Sequence, residues 1–457
     1  MKRTISLVFI ALFLLISLLP SAGIAVFGAS GEAANEVLSP KPQLKTDDGS
    51  LNARVLTQFS DYFADRFALR QSLLTAWAKL NASVFQTSVE EQVVLGTDGW
   101  LYYAKTLDDY LGRGLSDGEL RLAARNLLLM QEYAESRGTA FVFTIAPNKN
   151  SLYPEHMPAF AERDRSLSNA ERFIPMLERS GVNYADLFGA FQNREVLYFR
   201  TDSHWNARGA ALAADALLAA FGRDSDYFNG PFSETTPHPG DLYEMLFPRG
   251  EEREEDCVYS PGFRFETERD PNGGNALTIR SYNEEAEGTL LCYRDSFGAA
   301  LYPYLADQFE QALFSRSDVY DLCALESERI DAVLIELVER NIPWLLEKAA
   351  VFPAAARETG AAAETGEAVA LTKTDGAGEG KGLVSYTGSL PLFDPSDCGG
   401  VYLACEGRWY ECCVVRLDDG SYGFSAWLDA GLAVPERLIL SRSGGTCAYT
   451  LTDAAVG

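Results

Sequence analysis

Histidine is scarce in this chain, with only three residues among 457. Basic residues are also few, since 39 Lys and Arg stand against 65 Asp and Glu, and the formal net charge is -26. This balance argues against a nucleic-acid partner, because such binding depends on clustered Lys and Arg that replace the counterions of the phosphates. The hydrophobic fraction of 47% and the charged fraction of 23% are ordinary for a globular protein. The length is sufficient for two or three domains.

Long apolar runs are absent except at the amino terminus. There Met1-Lys2-Arg3 precedes an uncharged, mostly apolar run over residues 4–30. A run of this length can span a bilayer with its basic end held inside. Residues 1–30 are therefore predicted to be either a secretory signal or an uncleaved membrane anchor, and both outcomes stay open. Either outcome predicts an extracytoplasmic protein that is secreted or anchored to the cell membrane.

The cysteines lack the spacing of a metal site. Eight cysteines occur, but there is no C-x-x-C pair and no histidine near the adjacent Cys412 and Cys413. We therefore predict no metal. The even number in an exported chain permits disulfides, above all among the five cysteines between residues 398 and 447. The sequence does not reveal their pairing.

Composition and periodicity divide the chain into successive segments, and no internal repeat is visible. Helix and strand patterns alternate through its long middle part, which predicts an α/β domain with a parallel sheet flanked by helices. A stretch rich in Ala, Gly, Glu and Thr then precedes short aromatic strand patterns, which predicts a linker and a small all-β module. The predicted order is the amino-terminal segment (1–30), a tether (31–50), the α/β domain (51–353) with an insertion (about 245–287), the linker (354–381) and the β-rich module (382–457).

Three residues in two short segments could form an acid, a base and a nucleophile. Asp202 and His204 are two positions apart, so in an extended segment their side chains share a face. Ser296 follows an apolar run and precedes a helix-like segment, and acyl-transfer enzymes often place a nucleophile at such a strand-to-helix turn. In this hypothesis Ser296 attacks an ester carbonyl, His204 takes and returns its proton, and Asp202 fixes the tautomer.

Simpler structural roles for the same residues stay open at this point. Asp202 and Asp295 could be turn or cap residues, Ser296 could cap the following helix, and His204 could be a packed core histidine. Residue spacing alone does not decide between these roles and a triad.

The two segments resemble the SGNH-hydrolase-like superfamily in the permuted arrangement of the alginate O-acetyltransferases AlgJ and AlgX and the DHHW proteins. In these proteins an Asp-x-His-Trp motif precedes a Gly-Asp-Ser-like motif, as Asp202-Ser203-His204-Trp205 precedes Arg294-Asp295-Ser296 here. Further similar pieces lie between residues 55 and 350, at residues 62–70, 96–102, 146–149, 153–154, 240–242 and 339–340.

The resemblance implies an SGNH-hydrolase-like fold with permuted motif order and a triad of Asp202, His204 and Ser296. It further implies an O-acetyltransferase that acts on a cell-surface or extracellular polysaccharide through an acetyl-serine intermediate. No cofactor is expected, because the acetyl group would come from a donor or a partner, usually a membrane-bound O-acyltransferase. A carbohydrate acetyl esterase with the same triad and a non-catalytic glycan-binding or assembly protein remain alternatives.

Five further residues near these motifs carry weaker expectations. Arg294 stands where hydrolases have the glycine of Gly-Asp-Ser, so the donor geometry around Ser296 is open. Arg316 and Arg340 follow two strands and are candidate donors to substrate or oxyanion, or else strand-end salt bridges. Lys149 follows a buried strand and is expected either to contact substrate or to be a solvated loop lysine. Trp205 could stack on a sugar or pack under the histidine.

Overall fold

The computed structural model describes residues 2–31, 38–46, 49–163, 166–192, 194–259, 262–268, 273–376 and 382–453. Within these ranges the helices are α1 (Lys2–Phe27), α2 (Val55–Arg66), α3 (Arg70–Leu80), α4 (Leu107–Tyr110), α5 (Asp117–Ser136), α6 (Lys149–Leu152), α7 (Asn169–Ser180), α8 (Leu187–Phe191), α9 (Ala207–Ala220), α10 (Asp241–Leu246), α11 (Gly298–Ala306), α12 (Ala324–Ser327) and α13 (Trp344–Glu347). The strands are β1 (Val93–Leu95), β2 (Leu101–Tyr103), β3 (Ala140–Ala146), β4 (Tyr184–Ala185), β5 (Phe232–His238), β6 (Glu254–Tyr259), β7 (Glu266–Thr267), β8 (Thr278–Tyr282), β9 (Thr289–Tyr293), β10 (Gln311–Ser315), β11 (Ala332–Val338), β12 (Ala356–Arg357), β13 (Ala363–Asp375), β14 (Leu383–Ser389), β15 (Cys398–Cys405), β16 (Arg408–Glu411), β17 (Cys413–Arg416), β18 (Tyr422–Asp429), β19 (Arg437–Arg442) and β20 (Gly445–Asp453).

The amino-terminal segment forms helix α1. In the described part of the chain, no helix combines the length and the apolarity that crossing a bilayer requires. Part of the predicted tether is tied to α2, where Asp65 accepts a hydrogen bond from the Ser39 N–H at 2.7 Å and Arg66 donates to the Ser39 carbonyl. Residues 32–37 and 47–48 of that tether lie outside the described residues. The signal or anchor therefore stays a prediction.

A seven-stranded sheet forms the centre of the α/β domain, in the order β4-β3-β11-β9-β10-β8-β7. The five strands from β4 to β10 run parallel, and β8 joins β10 antiparallel. Every residue of β11 is buried, as expected of a central strand covered on both faces. The predicted α/β fold is confirmed.

Helices cover both faces of this sheet, and each face has its own core. Helices α5, α7 and α13 pack on one face, and α8, α9 and α11 pack on the other. Local sequence fixes where several of them begin. Asn206 caps α9, as predicted, by accepting a hydrogen bond from the Gly209 N–H at 2.9 Å.

The predicted insertion at about 245–287 is wrong at its carboxyl end. Residues Thr278–Tyr282 form β8, which pairs with β10 inside the central sheet. Its residues alternate between exposed and buried, because one face of this strand contacts solvent. A half-exposed strand lacks the continuous apolar run that identifies buried parallel strands, and so it resembled inserted loop sequence.

The predicted linker at 354–381 is also wrong for most of its length. Strand β13 lies inside a nine-stranded sheet with the order β12-β16-β15-β19-β20-β13-β14-β18-β17. It pairs parallel with β20 and antiparallel with β14. Only Val369 and Leu371 of β13 are buried, so its composition resembled a flexible segment. The all-β module therefore begins before residue 382, while residues 377–381 lie outside the described part of the chain.

This module packs directly on the α/β domain, with which it shares one apolar core. Arg125 of α5 donates two hydrogen bonds to Glu411, at 2.7 and 2.6 Å, and Arg357 donates a third at 2.7 Å. The Asn126 side chain donates to the carbonyls of Leu345 and Val414, at 2.9 Å each. Polar and apolar contacts thus join the two parts.

The disulfides that the sequence permits are not found among the described residues of the module. Its cysteines are free thiols, of which three are buried and two are partly buried. They are Cys398, Cys405, Cys412, Cys413 and Cys447.

We predict that Glu411→Ala destabilises the whole chain. The Glu411 side chain is only 2% exposed, and its loss removes the buried one of the two anions, Glu411 and Glu132, that Arg125 and Arg357 share. The free energy of unfolding should fall by about 3 kcal/mol in urea denaturation. Glu436→Ala, at an exposed position of the same module, is the matched control and should change it by less than about 0.5 kcal/mol. Equal stability of both variants would contradict the conclusion that the β module and the α/β domain are joined through Glu411.

Candidate active site

The candidate site lies where parallel strands of the central sheet end. Lys149 follows β3, Ser296 follows β9, Arg316 follows β10 and Arg340 follows β11. Because the carboxyl ends of parallel strands meet at one edge, the topology brings these segments together. The loop between α8 and α9 adds Asp202 and His204 at the same place.

The structure brings the three predicted triad residues together. Ser296 Oγ lies 2.9 Å from His204 Nε2, and His204 Nδ1 lies 2.7 Å from Asp202 Oδ1. The His204 side chain is 27% exposed and the Asp202 side chain only 5%. His204 is therefore not a buried core histidine, and Phe297 rather than Ser296 precedes α11 as its cap. These separations suit proton transfer from the hydroxyl to an oriented imidazole.

The turn that carries Ser296 is fixed by the buried carboxylate of Asp295. This carboxylate accepts hydrogen bonds from the Phe297 N–H at 2.9 Å, the Val338 N–H at 2.8 Å and the Asn341 side chain at 3.2 Å. Glu336 accepts a hydrogen bond from the Asp295 N–H at 3.1 Å, and burial together with the Asp295 charge raises the Glu336 pKa well above its ordinary value.

The backbone N–H of Ser296 is available to a substrate. It donates no hydrogen bond within the described part of the chain, and it precedes the first turn of α11. A free N–H at a helix start is a natural donor to a developing oxyanion. Arg294 does not add a donor there, because it is 3% exposed and donates to the carbonyls of Ala276 and Asp295 beneath the turn.

Asp202 is held by more donors than the triad alone requires. Its Oδ1 also accepts from the His204 N–H at 2.9 Å, and its Oδ2 accepts from His238 Nε2 and the Asp241 N–H, each at 2.9 Å. Burial alone would raise the Asp202 pKa, but the hydrogen bonds from His204 and His238 hold it well below its ordinary value. Asp202 is therefore an anion at neutral pH.

His238 and Asp241 were not predicted as site residues. His238 lies beside prolines in sequence that reads as a loop, and its strand pairing is not visible locally. Asp241 belongs to the Gly240-Asp241-Leu242 piece, which was a usable signal. A side chain at Gly240 would meet the Thr201 carbonyl at 2.3 Å, so only glycine permits this close approach.

Lys149 does not contact substrate, nor is it a solvated loop lysine. It is 4% exposed, and its ammonium group donates to the carbonyls of Phe199, Arg200 and Asp202 at 3.1, 2.8 and 2.5 Å. Burial lowers the Lys149 pKa to about 7. Lys149 therefore fixes the backbone of the loop that carries Asp202, and the expectation of a substrate contact is wrong.

Trp205 likewise lies under the site and is not part of its surface. It is 1% exposed and packs edge-on against Phe297, with ring centroids 4.9 Å apart. Phe297 in turn contacts the His204 ring at 4.8 Å. Sugar stacking on Trp205 is excluded by this burial, and packing beneath the histidine is the role the structure gives it.

A cavity of about 480 Å³ opens beside Ser296. Arg316 and Arg340 both line it, and neither forms an ion pair within the described residues, so the strand-end salt bridges are not found. The Arg340 guanidinium lies 5.4 Å from the Tyr103 ring and 5.6 Å from the Phe297 ring. The remaining lining residues are Tyr103, Lys105, Asp295, Asn341, Pro343, Trp344 and Glu347.

Asp202, His204 and Asp241 place oxygen and nitrogen atoms within 4.8 Å of one another. Protein donors already use the carboxylate oxygens, since Ser203 donates to Asp241 from its N–H at 2.7 Å and its hydroxyl at 2.6 Å. The three side chains therefore form a hydrogen-bonded cluster whose carboxylate oxygens are already engaged by protein donors.

Comparisons with known proteins agree with the resemblance noted above. Residues 93–259 match the family described as the SGNH hydrolase-like domain of acetyltransferase AlgX. The probable alginate O-acetylase AlgJ of Pseudomonas syringae pv. tomato is 27% identical over 259 residues, which cover 54% of this chain and 61% of that protein. The resemblance to this group is confirmed. The chain thus spans about three fifths of that curated relative, and the family match ends before Ser296.

Solved structures with similar folds have low identity to this chain. Bacillus cereus PatB1 with a sulfonyl adduct is 17% identical and covers 55% of this chain and 95% of its own, with a TM-score of 0.44. The O-acetyltransferase domain of Pseudomonas putida AlgJ is 21% identical and covers 55% of this chain and 92% of its own, with a TM-score of 0.37.

We predict a pH-dependent stability difference between the wild type and Lys149→Met. Folded Lys149 releases its proton near pH 7, while the unfolded lysine keeps it to about pH 10.5. The unfolded state therefore binds more protons between these values, so this residue makes stability rise with pH. The wild-type minus variant difference in unfolding free energy should increase by about 1.4 kcal/mol per pH unit from pH 7 to 9 in urea titrations.

Lys79→Met provides the matched control, because Lys79 is exposed on α3. Its difference from the wild type should stay flat over the same pH range. A flat difference for Lys149→Met as well would show that Lys149 remains charged in the fold.

Proposed function

We propose that this chain is an O-acetyltransferase that carries an acetyl group on Ser296 and passes it to a hydroxyl of a cell-surface or extracellular polysaccharide. The observation that carries the proposal is the continuous hydrogen-bonded path from Ser296 through His204 to Asp202, at the mouth of an open cavity. The similarity to a probable alginate O-acetylase supports acetyl transfer to a polysaccharide.

The geometry supports a two-step reaction in which each proton is accounted for. Ser296 Oγ attacks the carbonyl carbon of an acetyl ester while His204 Nε2 takes the hydroxyl proton. The tetrahedral oxyanion collapses, the bond to the leaving oxygen breaks, and His204 returns the proton to that oxygen. A sugar hydroxyl then gives its proton to His204 Nε2 while its oxygen attacks the acetyl carbon of the acetyl-serine. The bond from that carbon to Ser296 Oγ breaks, and His204 returns the proton to Oγ, which leaves the acetylated sugar and free Ser296.

The charges of the cavity favour an acceptor with negative groups. Its carboxylates are engaged, since Asp295 accepts three hydrogen bonds and Glu347 pairs with Arg416. The cationic groups of Lys105, Arg316 and Arg340 remain to face a ligand. A uronate-containing glycan would present carboxylates to them while its hydroxyls reach Ser296.

The acetyl donor and the location belong to the same proposal. An extracytoplasmic enzyme has no supply of acetyl-CoA, so the acetyl group must be relayed to it from across the membrane. We propose a membrane-bound O-acyltransferase as the supplier and no cofactor of the chain's own. The amino-terminal segment would direct export, as a cleaved signal or as a retained anchor.

Ester hydrolysis is the second candidate function. The side chains of Ser296 and His204 are only partly buried, so water can reach the acetyl-serine in place of a sugar hydroxyl. A non-catalytic glycan-binding role is less favoured, because it gives no reason for hydrogen-bond distances of 2.9 and 2.7 Å along the triad.

We predict that Ser296→Ala abolishes acetyl transfer, because among the described residues it is the Ser296 hydroxyl that contacts His204 Nε2. The full chain is incubated with an aryl acetate and an acceptor oligosaccharide, and acetylated sugar is followed by mass spectrometry. The rate should fall at least about 10³-fold. Ser83→Ala, at an exposed position that does not line the cavity, is the control for the loss of a serine hydroxyl and should retain acetyl-serine formation.

The same experiment separates transfer from hydrolysis. Acetylated oligosaccharide that increases with acceptor concentration identifies a transferase, whereas free acetate alone identifies an esterase. Full activity of Ser296→Ala would exclude Ser296 as the nucleophile in either reaction.

We predict that Arg340→Gln weakens the use of a uronate acceptor more than that of a neutral one. The guanidinium is the cavity cation that contacts both Tyr103 and Phe297, so its loss removes a positioned charge partner near Ser296. KM for an oligouronate should rise about 10-fold while hydrolysis of an aryl acetate changes little. Arg329→Gln, at a 92% exposed position remote from the cavity, is the control. Equal effects on both acceptors would refute charge recognition.

A further inference from the structure

His238 lies on the opposite side of the Asp202 carboxylate from His204. It ends β5, and its Nε2 lies 2.9 Å from Asp202 Oδ2, the oxygen that His204 does not contact. Its ring stacks on Phe199 with centroids 3.9 Å apart and planes within 9°. Phe199 donates its N–H to the His204 carbonyl at 3.3 Å. The stack therefore fixes the His238 ring against the loop that holds the base.

Acidic groups surround His238 from every segment packed against it. In β6, Glu254 is its direct strand partner, and Asp256 lies near it. Glu254 is itself a fixed anion that accepts from the N–H groups of Arg200 and Thr201, at 2.9 and 2.7 Å. The charged and titratable groups around His238 are Arg200, Asp202, Asp241, Glu254 and Asp256.

These acids favour the protonated imidazole. Burial alone would lower the His238 pKa, but the hydrogen bond and charge of Asp202, with the charges of Asp256 and Glu254, raise it above its ordinary value of 6.5. The side chain is 33% exposed, so its proton can exchange with solvent.

We infer that His238 is a positioning residue of the triad: it clamps the second oxygen of Asp202, and its charge controls how readily His204 is protonated. The inference rests on the proposed function for its kinetic consequences. A positive His238 shares the Asp202 anion with His204, so a second positive charge at this carboxylate is disfavoured. Removal of the His238 charge should therefore move the acid limb of the pH–rate profile to higher pH.

Two substitutions separate the effect of the hydrogen bond to Asp202 from the effect of the His238 charge. His238→Gln can keep an N–H donor to Asp202 without the charge, whereas His238→Phe keeps the ring stack on Phe199 and removes the donor. Aryl acetate turnover by the full chain is measured from pH 5 to 9. For His238→Gln, we expect the acid limb of kcat/KM to move to higher pH by at least ~0.5 unit. For His238→Phe, kcat should fall about 10-fold or more with little change in KM, because the Asp202 carboxylate loses a fixed donor.

His156→Gln is the matched control, because His156 stacks on Trp100 with ring centroids 4.5 Å apart and makes no contact with Asp202. Its acid limb and kcat should match the wild type. An unmoved acid limb in His238→Gln together with an unchanged kcat in His238→Phe would overturn the inference. A merely structural role would lower stability without moving the acid limb.

A second measurement keeps the inference testable if a His238 variant does not fold or if the wild type shows no turnover. Only three histidines occur, so ring-labelled histidine gives few NMR signals to assign in the full chain. His238 should keep its charge to higher pH in the wild type than in Asp202→Asn, because the Asp202 carboxylate raises the His238 pKa. A His238 titration that Asp202→Asn leaves unmoved overturns the inference. Absence of turnover in the wild type counts against the proposed acetyl-serine chemistry alone.

Discussion

The buried anion of Asp202 is the constraint on which the candidate site depends. A carboxylate with 4% exposure must have its oxygens satisfied, because an unpaired buried charge costs several kcal/mol. Four hydrogen bonds meet this need, from the ring and backbone of His204, from His238 and from the Asp241 N–H. These donors belong to a loop, a strand and a helix start. The three segments cannot separate without leaving the charge unsatisfied, and His204 is oriented as a result.

The turn that carries Ser296 is fixed in the same way, by a buried carboxylate. Asp295 is buried and binds the N–H groups of Phe297 and Val338, so β9, β11 and α11 meet around one carboxylate. The atoms proposed to react, on Ser296 and His204, are the partly exposed ones. Rigid buried anions and accessible reacting groups give a preorganised site that a substrate can still enter. Lys149 extends this frame by fixing the loop carbonyls behind Asp202.

Sequence predicted the buried parts of the fold best. Strands such as β11 are apolar on both faces, so their sequences identify them as buried strands. The order of acid, base and serine along the chain indicated the family resemblance. Strands β8 and β13 were missed, because each exposes one face and therefore reads as polar connecting sequence. His238 and Asp241 were missed as partners of Asp202, because they lie 36 and 39 positions away and meet it only through folding. Local sequence also did not reveal that Lys149 and Trp205 point inward.

Strand β13 has a consequence for the order in which the protein can assemble. It pairs with β20, which lies some 80 positions further along the chain, and the sheet containing both packs on the α5 face of the α/β domain. This sheet is incomplete until β20 has emerged from the ribosome and closed this long loop. Until then, the apolar residues of α5 that pack on the sheet would be open to chaperones or to wrong partners. The α/β domain therefore exposes an apolar surface that favours aggregation until the β module is complete.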